Sequence, residues 1–253
     1  MDSAPATAEH TTARELASGA GVLLVALREE SRAADPRALG DEGDARAHAF
    51  LATQLAERHP DDAVLSEEAP DDRARLGAER VWIIDPLDGT REYTEPGRTD
   101  WAVHVALWRA GSLVAGAVAL PALEAVYATD APPDPPPPAR RLRLVVSRTR
   151  PPAWAGAVAE DLGAEILELG SAGAKTMAVV RGEADAYLHD GGQFEWDVAA
   201  PAAVATAAGL HVCRANGAAP VFNKPEPRLP DLLVCHRDMA DRLLRAIARR
   251  RTD

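Results

Sequence analysis

The sequence predicts an α+β half with a largely antiparallel sheet, joined to an α/β half, and three observations predict it. From Trp101 to Thr129 the chain alternates in hydropathy and carries Gly or Ser at turn positions, the pattern of an antiparallel meander. Residues 130–140, DAPPDPPPPAR, can form neither helix nor central strand, because each proline fixes φ and removes a donor. Beyond them short apolar runs alternate with helix-length ones, as in a sheet with crossover helices. The expected division is residues 1–137 and residues 138–253, with the Pro-rich run as a stiff connector.

Taken in order, ARELASGAGVLLVALREESR, about Ala13 to Arg32, reads as an amphipathic helix with Leu16, Leu23, Leu24 and Leu27 at helical spacing. A second helix is expected from about Asp44 to Arg58, with Ala47, Phe50, Leu51 and Leu55 on one face and Asp44 at its N-terminal end. AVLSEEAP is a short strand ending in acids, and RVWIID is a buried strand. After the meander and the Pro-rich run come the strand RLRLVVS, the helix PPAWAGAVAEDLG, the strand AEILELGS and the helix AGAKTMAVVRGE. The strand ADAYLHD, the helix WDVAAPAAVATAAGL, the strands HVCR and LPDLLVCH and a last helix complete the chain.

Composition narrows the function. A formal charge of -11, from 39 acids against 28 bases, disfavours nucleic-acid polymers and anionic membranes as partners. A small anionic substrate stays open, since bound cations can invert the sign of a local site. No apolar run is long enough to span a bilayer, and the amino terminus lacks a basic segment followed by an apolar one. Cys213 and Cys235 have no metal-type spacing and read as reduced thiols, so the expected location is cytoplasmic.

The chemistry lies in the acids. Asp44 opens a predicted helix, Glu67 and Glu68 end one strand, Asp85 and Asp88 end the next, and Asp197 stands at the start of a late helix. Each alone is a cap or a solvated charge. Together they suggest a site for hard cations such as Mg²⁺, which take oxygen ligands. In WIIDPLDGTREYTE, Pro86 and Gly89 shape a tight turn that aims Asp85 and Asp88 at one point and offers the Leu87 carbonyl. If a helical turn starts near Thr90, the Gly89 and Thr90 N–H groups form a phosphate cradle.

WIIDPLDGT with EWDVAAPAA resembles the paired signatures of the inositol monophosphatase superfamily, and LSEEAP fits its third acidic motif. DGTREY is similar to the version found in CysQ-type 3'-phosphoadenosine 5'-phosphate phosphatases, as are VVSRTR and GSAGAK. The resemblance covers nearly the whole chain in the expected order. It implies a layered α/β/α/β/α sandwich, Mg²⁺-dependent and lithium-sensitive phosphatase activity, two or three Mg²⁺ per site, and a homodimer. By the same resemblance Glu67 matches a ligand of the first metal, Asp85 the bridging carboxylate and Leu87 the neutral carbonyl ligand. Asp88 and Asp197 match ligands of the second metal, and Asp44 and Thr90 the pair that activates water. Glu68 has no role in the pattern.

The implied substrate is adenosine 3',5'-bisphosphate, cleaved to AMP and phosphate in sulfur metabolism, with the sulfated parent nucleotide as a further substrate. Its second anionic group needs donors, and Ser147, Arg148, Ser171 and Lys175 are the candidates. For Arg148 the competing reading is a solvated member of the group Arg140, Arg141, Arg143 and Arg150. Asp190 corresponds to an acid that touches sugar hydroxyls in inositol phosphatases, and His189 is a partial match to a basic residue of the nucleotidases. The other histidines, among them His48 and His104, show no ligand spacing and read as structural. Two alternatives remain: an inositol-1-phosphate or fructose-1,6-bisphosphate phosphatase, and a non-catalytic Mg²⁺-binding homologue.

Overall fold

A computed structural model describes residues 8–31 and 35–251. Residues 1–7, read above as lacking a leader, lie outside the described residues, as does Arg32 at the expected end of the first helix. Helix α1 runs Ala8–Glu30 and α2 runs Pro36–Arg58. Asp35 caps α2, its carboxylate accepting from the Ala38 N–H at 3.1 Å, and Pro36 supplies a preset φ at the first helical position. Asp44 therefore lies inside α2 and not at its start, a correction to the sequence reading that frees its carboxylate from any capping duty.

The first sheet has the order β1-β2-β3-β4-β5, with β1 Ala63–Ser66, β2 Arg80–Asp88, β3 Ala102–Arg109, β4 Ser112–Leu120 and β5 Ala125–Ala128. Only β1 and β2 are parallel; the expected meander forms the rest. A short helix α3, Thr90–Thr94, follows β2. The second sheet, β7-β6-β8-β10-β9, contains β6 Arg143–Ser147, β7 Glu165–Leu169, β8 Ala186–Phe194, β9 His211–Cys213 and β10 Arg228–Cys235. Strand β6 is parallel to β7 and β8, and β10 is antiparallel to β8 and β9. Helices α4 Ala155–Leu162, α5 Ala172–Val180, α6 Glu195–Ala207 and α7 Ala240–Arg250 pack around it.

Side-chain alternation explains the layers. On β2, Trp82 and Ile84 pack with α1 and α2, whereas Val81 and Ile83 face α5 and α6. On β6, Val145 joins that same middle layer, whereas Leu144 and Val146 face α4 and α7. The result is the α/β/α/β/α sandwich, with one apolar core reaching from the first sheet through α5 and α6 to the second. Burial on both faces accounts for the unbroken apolar run of β2, where each large side chain contributes about 1.5–3 kcal/mol. The Pro-rich segment carries no helix or strand.

Candidate active site

Strand β2 does not end cleanly. Its pairing with β3 slips between Asp85, opposite His104, and Asp88, opposite Ala102, because Pro86 has no N–H to give the ladder. The bulge brings Asp85 and Asp88 to one side, and α6 supplies Asp197 from across the core. One carboxylate oxygen from each of Asp85, Asp88 and Asp197 lies within 4.8 Å of the others. Asp197 Oδ2 also accepts from the Phe194 N–H at 2.6 Å, and Asp88 Oδ2 from the Gly173 N–H at 2.7 Å. Asp85 Oδ1 accepts from the Leu87 N–H at 3.1 Å, but its buried Oδ2 has no partner.

These carboxyls strain against their surroundings. Burial, then the charges of Glu67, Asp88 and Asp197, push Asp85 well above the usual carboxylate range. Burial followed by Asp88 raises Asp197 to about 7, and burial followed by Asp197 and Asp88 raises Glu67 to about 8. An orphaned acceptor among clustered, desolvated carboxyls suits a hard divalent cation, and the oxygen-only donor set agrees. Glu67 stands outside the close trio but borders the same cavity, of about 410 Å³, as do Leu87, Gly89 and Thr90.

Thr90 Oγ1 lies 3.4 Å from Asp44 Oδ1 and 3.3 Å from the Leu87 carbonyl, so its proton has acceptors on the protein side. Burial, then Glu68, raises Asp44 to about 7. Gly89 sits at φ +89, where a side chain is strained, and a Cβ there would lie 3.0 Å from that of Ser171. Helix α3 starts immediately after it, as expected, with first-turn N–H groups that no helix satisfies internally.

Further lining residues come from the second half of the chain. Ser147, at the end of β6, and Ser171, which caps α5 by accepting from the Ala174 N–H at 2.8 Å, both border the cavity. So does Lys175, only 3% exposed, which donates to the Gly170 carbonyl and to the Ser171 carbonyl at 2.8 Å and lies over Tyr187. Burial lowers it to about 8.

Two expected contacts are not brought to the cavity. Arg148 turns away, its Nε donating to Glu92 and its Nη2 to Glu95, each at 2.5 Å. Asp190 accepts from Trp154 Nε1 and Arg251 Nη2, both at 2.8 Å, on the other face of β8. Their neighbours take the positions instead. Arg150 borders the cavity with its guanidinium against Gly192, and His189 borders it with both ring nitrogens unpartnered. Burial, then the charge of Lys175, pushes His189 down to about 4, which keeps it neutral. Strand alternation of Tyr187 with His189 was the available signal for the latter; no local signal distinguishes Arg150 from Arg148.

His104, read from the sequence as structural, is fully buried on β3, its Nδ1 donating to the Trp196 carbonyl at 3.1 Å. Burial disfavours its charged form, and its Nε2 lies 3.2 Å from Asp88 Oδ2 without a hydrogen bond. Gly173 makes room for it, since a Cβ there would run into the ring.

Known proteins resemble this chain in sequence and in fold. The chain is 51% identical over 238 residues to a protein of Mycobacterium bovis named 3'-phosphoadenosine 5'-phosphate phosphatase, covering 90% of this chain and 89% of that one. It is 29% identical over 224 residues to the 3'(2'),5'-bisphosphate nucleotidase CysQ of Escherichia coli, covering 78% and 87%. The crystal structure of inositol monophosphatase-II from Staphylococcus aureus superposes with a TM-score of 0.80 over 94% of this chain and 95% of that one, at 20% identity, a likeness of fold. The model of the inositol monophosphatase family matches residues 8–131 and 141–251, leaving out the Pro-rich segment. With the motifs, the sandwich and the acidic cavity in agreement with that match, the chain belongs to the inositol monophosphatase family.

Proposed function

We propose that this chain is a Mg²⁺-dependent phosphatase that hydrolyses the 3'-phosphate of 3'-phosphoadenosine 5'-phosphate, giving AMP and inorganic phosphate. One observation carries the reading: a single cavity is lined both by the clustered carboxylates and by Lys175, Arg150 and His189. Such a lining suits a substrate with one phosphate to be cleaved beside a cation and a second anionic group for the basic side chains to hold. The names of the 51% and 29% identical relatives support the same substrate.

In this reading Asp85, Asp88, Asp197, Glu67 and the Leu87 carbonyl hold two or three Mg²⁺. Bound magnesium would neutralise charge on the phosphoryl oxygens and lower the pKa of the attacking water. Thr90 gives its own proton toward Asp44 and so presents a lone pair to that water, orienting it for in-line attack. The first-turn N–H groups of α3 receive phosphoryl oxygens, and Gly89 leaves the room for their approach. Ser147, Ser171, Lys175 and Arg150 serve the second anion, with Arg148 left to its glutamates. Water adds to phosphorus, the P–O3' bond breaks, and the 3'-oxygen leaves with a proton.

The reading includes a cytoplasmic homodimer. Val22 and Val126, 69% and 38% exposed, border one apolar groove, and sedimentation of the purified chain tests the dimer. Among the described residues no helix is long and apolar enough to cross a membrane. The decisive experiment compares kcat/KM on 3'-phosphoadenosine 5'-phosphate, inositol 1-phosphate and fructose 1,6-bisphosphate in Mg²⁺. The nucleotide is expected to lead by at least about 10-fold, the worth of one charged contact. Preference for inositol phosphate overturns the substrate, and no phosphate release from any of them overturns the activity.

A further inference from the structure

Among the described residues Arg75 is the most completely buried cation of the first half, at 1% exposure, and nothing in the chemistry above uses it. It sits in a single 3-10 turn, Arg73–Gly77, in the connection between β1 and β2 that begins with Glu67. Its guanidinium is almost saturated. Nε and Nη2 donate to Asp71 at 2.6 and 2.9 Å, Nη1 to Asn223 Oδ1 at 2.6 Å, and Nη2 also to the Lys224 carbonyl at 2.9 Å. Asn223 returns a bond from Nδ2 to the Arg75 carbonyl at 3.2 Å.

The chain of bonds continues on the far side. The N–H groups of Asn223 and Lys224 donate to the two carboxylate oxygens of Glu195, at 2.6 and 3.0 Å, and Glu195 is fully buried at the start of α6. The Glu195 N–H closes the loop on the Pro227 carbonyl at 2.8 Å. The network thus begins in the connection that carries Glu67 and ends in the first turn of the helix that carries Asp197. Burying a guanidinium and a carboxylate is a poor way to gain stability, because an apolar pair of similar volume does as well or better. A planar fork of fixed N–H directions instead sets distance and angle.

We propose that Arg75 is a positioning residue that, through Asn223 and Glu195, holds the Glu67 segment at the spacing from Asp197 that a divalent cation requires. The inference rests on the reading of Glu67 as a metal ligand. Glu67 needs such a device more than its partners do. Asp85 and Asp88 share one bulged strand and Asp197 is pinned by the Phe194 N–H, whereas among the described residues the Glu67 carboxylate has no hydrogen bond of its own.

The test is Mg²⁺ binding to the substrate-free protein by titration calorimetry, with Tm in EDTA measured alongside. Arg75→Met is expected to weaken metal binding by about 10–100-fold, the usual effect of losing a residue that orients a ligand. Asn223→Gly should shift it in the same direction. Asn223 has φ +57, which glycine accepts, so this variant carries the test if Arg75→Met does not fold. In a Glu67→Gln background, Asn223→Gly should leave the remaining affinity unchanged within about twofold, since the segment then has no ligand to position. A lower Tm in EDTA with metal affinity unchanged in Asn223→Gly shows a purely structural network and overturns the proposal. If Glu67→Gln alone leaves metal binding intact, the ligand reading falls and the positioning role with it. If Glu67→Gln weakens binding and Asn223→Gly does not, the positioning role falls alone.

Discussion

The acidic and the basic residues lining the cavity contain charge by opposite means. Burial and neighbouring carboxylates push Asp85, Asp197 and Glu67 toward protonation, and at Asp197 the Phe194 N–H and the charges of Lys175 and Arg150 offset this only in part. Among the basic residues Lys175 is bound to carbonyls of its own helix cap, His189 is kept neutral, and Arg150 lies against a glycine. The acids are incomplete as protein alone, whereas the bases have only weak partners to exchange for an anion. Metal binding should therefore register as a stability effect and substrate binding as a kinetic one.

The largest expected effect breaks the acidic cluster. Asp85→Asn should lower kcat by about 10³-fold or more, a loss of the size seen when a preorganised electrostatic contact to the reacting group is removed. It should also raise Tm in EDTA, by about 2–4 °C per kcal/mol of repulsion relieved. Retention of near-wild-type turnover would remove Asp85 from the metal site. Among the basic residues Arg150→Met should raise KM for the nucleotide about 10-fold or more while Arg148→Met changes it less than about twofold, because of the two only Arg150 borders the cavity. Reversal of that order in steady-state kinetics would show that Arg148 leaves its glutamates to reach the substrate.

The smallest effect is a pH profile. Asp44 and Asp197 at about 7 and Glu67 at about 8 bind protons more tightly in the folded chain than in the unfolded one. Their contribution is full below the ordinary carboxylate pKa of about 4 and is lost as pH rises through 7 to 8. Metal-free Tm should accordingly fall between about pH 5 and 8.5, and saturating Mg²⁺ should flatten the fall, since it binds the deprotonated ligands. A flat profile in EDTA, followed by scanning calorimetry, would mean that the acids are better solvated than their burial indicates.

Much of this molecule was legible in one dimension. The alternation of β2 and the meander, the helix-length runs after residue 140 and the proline connector are local patterns, and local backbone preferences act on them directly. The acid-bearing motifs were legible for a related reason: the bulge at Asp85–Asp88 follows from Pro86, and α3 begins where Gly89 allows. The start of α2 was misplaced because Asp35-Pro36 is as strong a start signal as Asp44, and only packing shows that the helix runs through.

By itself, then, the sequence determined the two halves, the order of their elements and the candidate acids, because backbone periodicity and turn chemistry are properties of neighbouring residues, while the layering and the ligand roles came from the family resemblance of its motifs. Tertiary structure alone decided which member of each nearby pair faces the cavity. Arg150 faces it and not Arg148, because Glu92 of α3 and Glu95 just after it reach across to hold the latter. His189 faces it and not Asp190, because Trp154 and Arg251 hold the latter outside. The approach of His104 to Asp88 and the linkage from Arg75 to Glu195 likewise join residues far apart in the chain. Side-chain direction in these places is set by the partner that compensates the charge, and that partner is known only once the chain has folded.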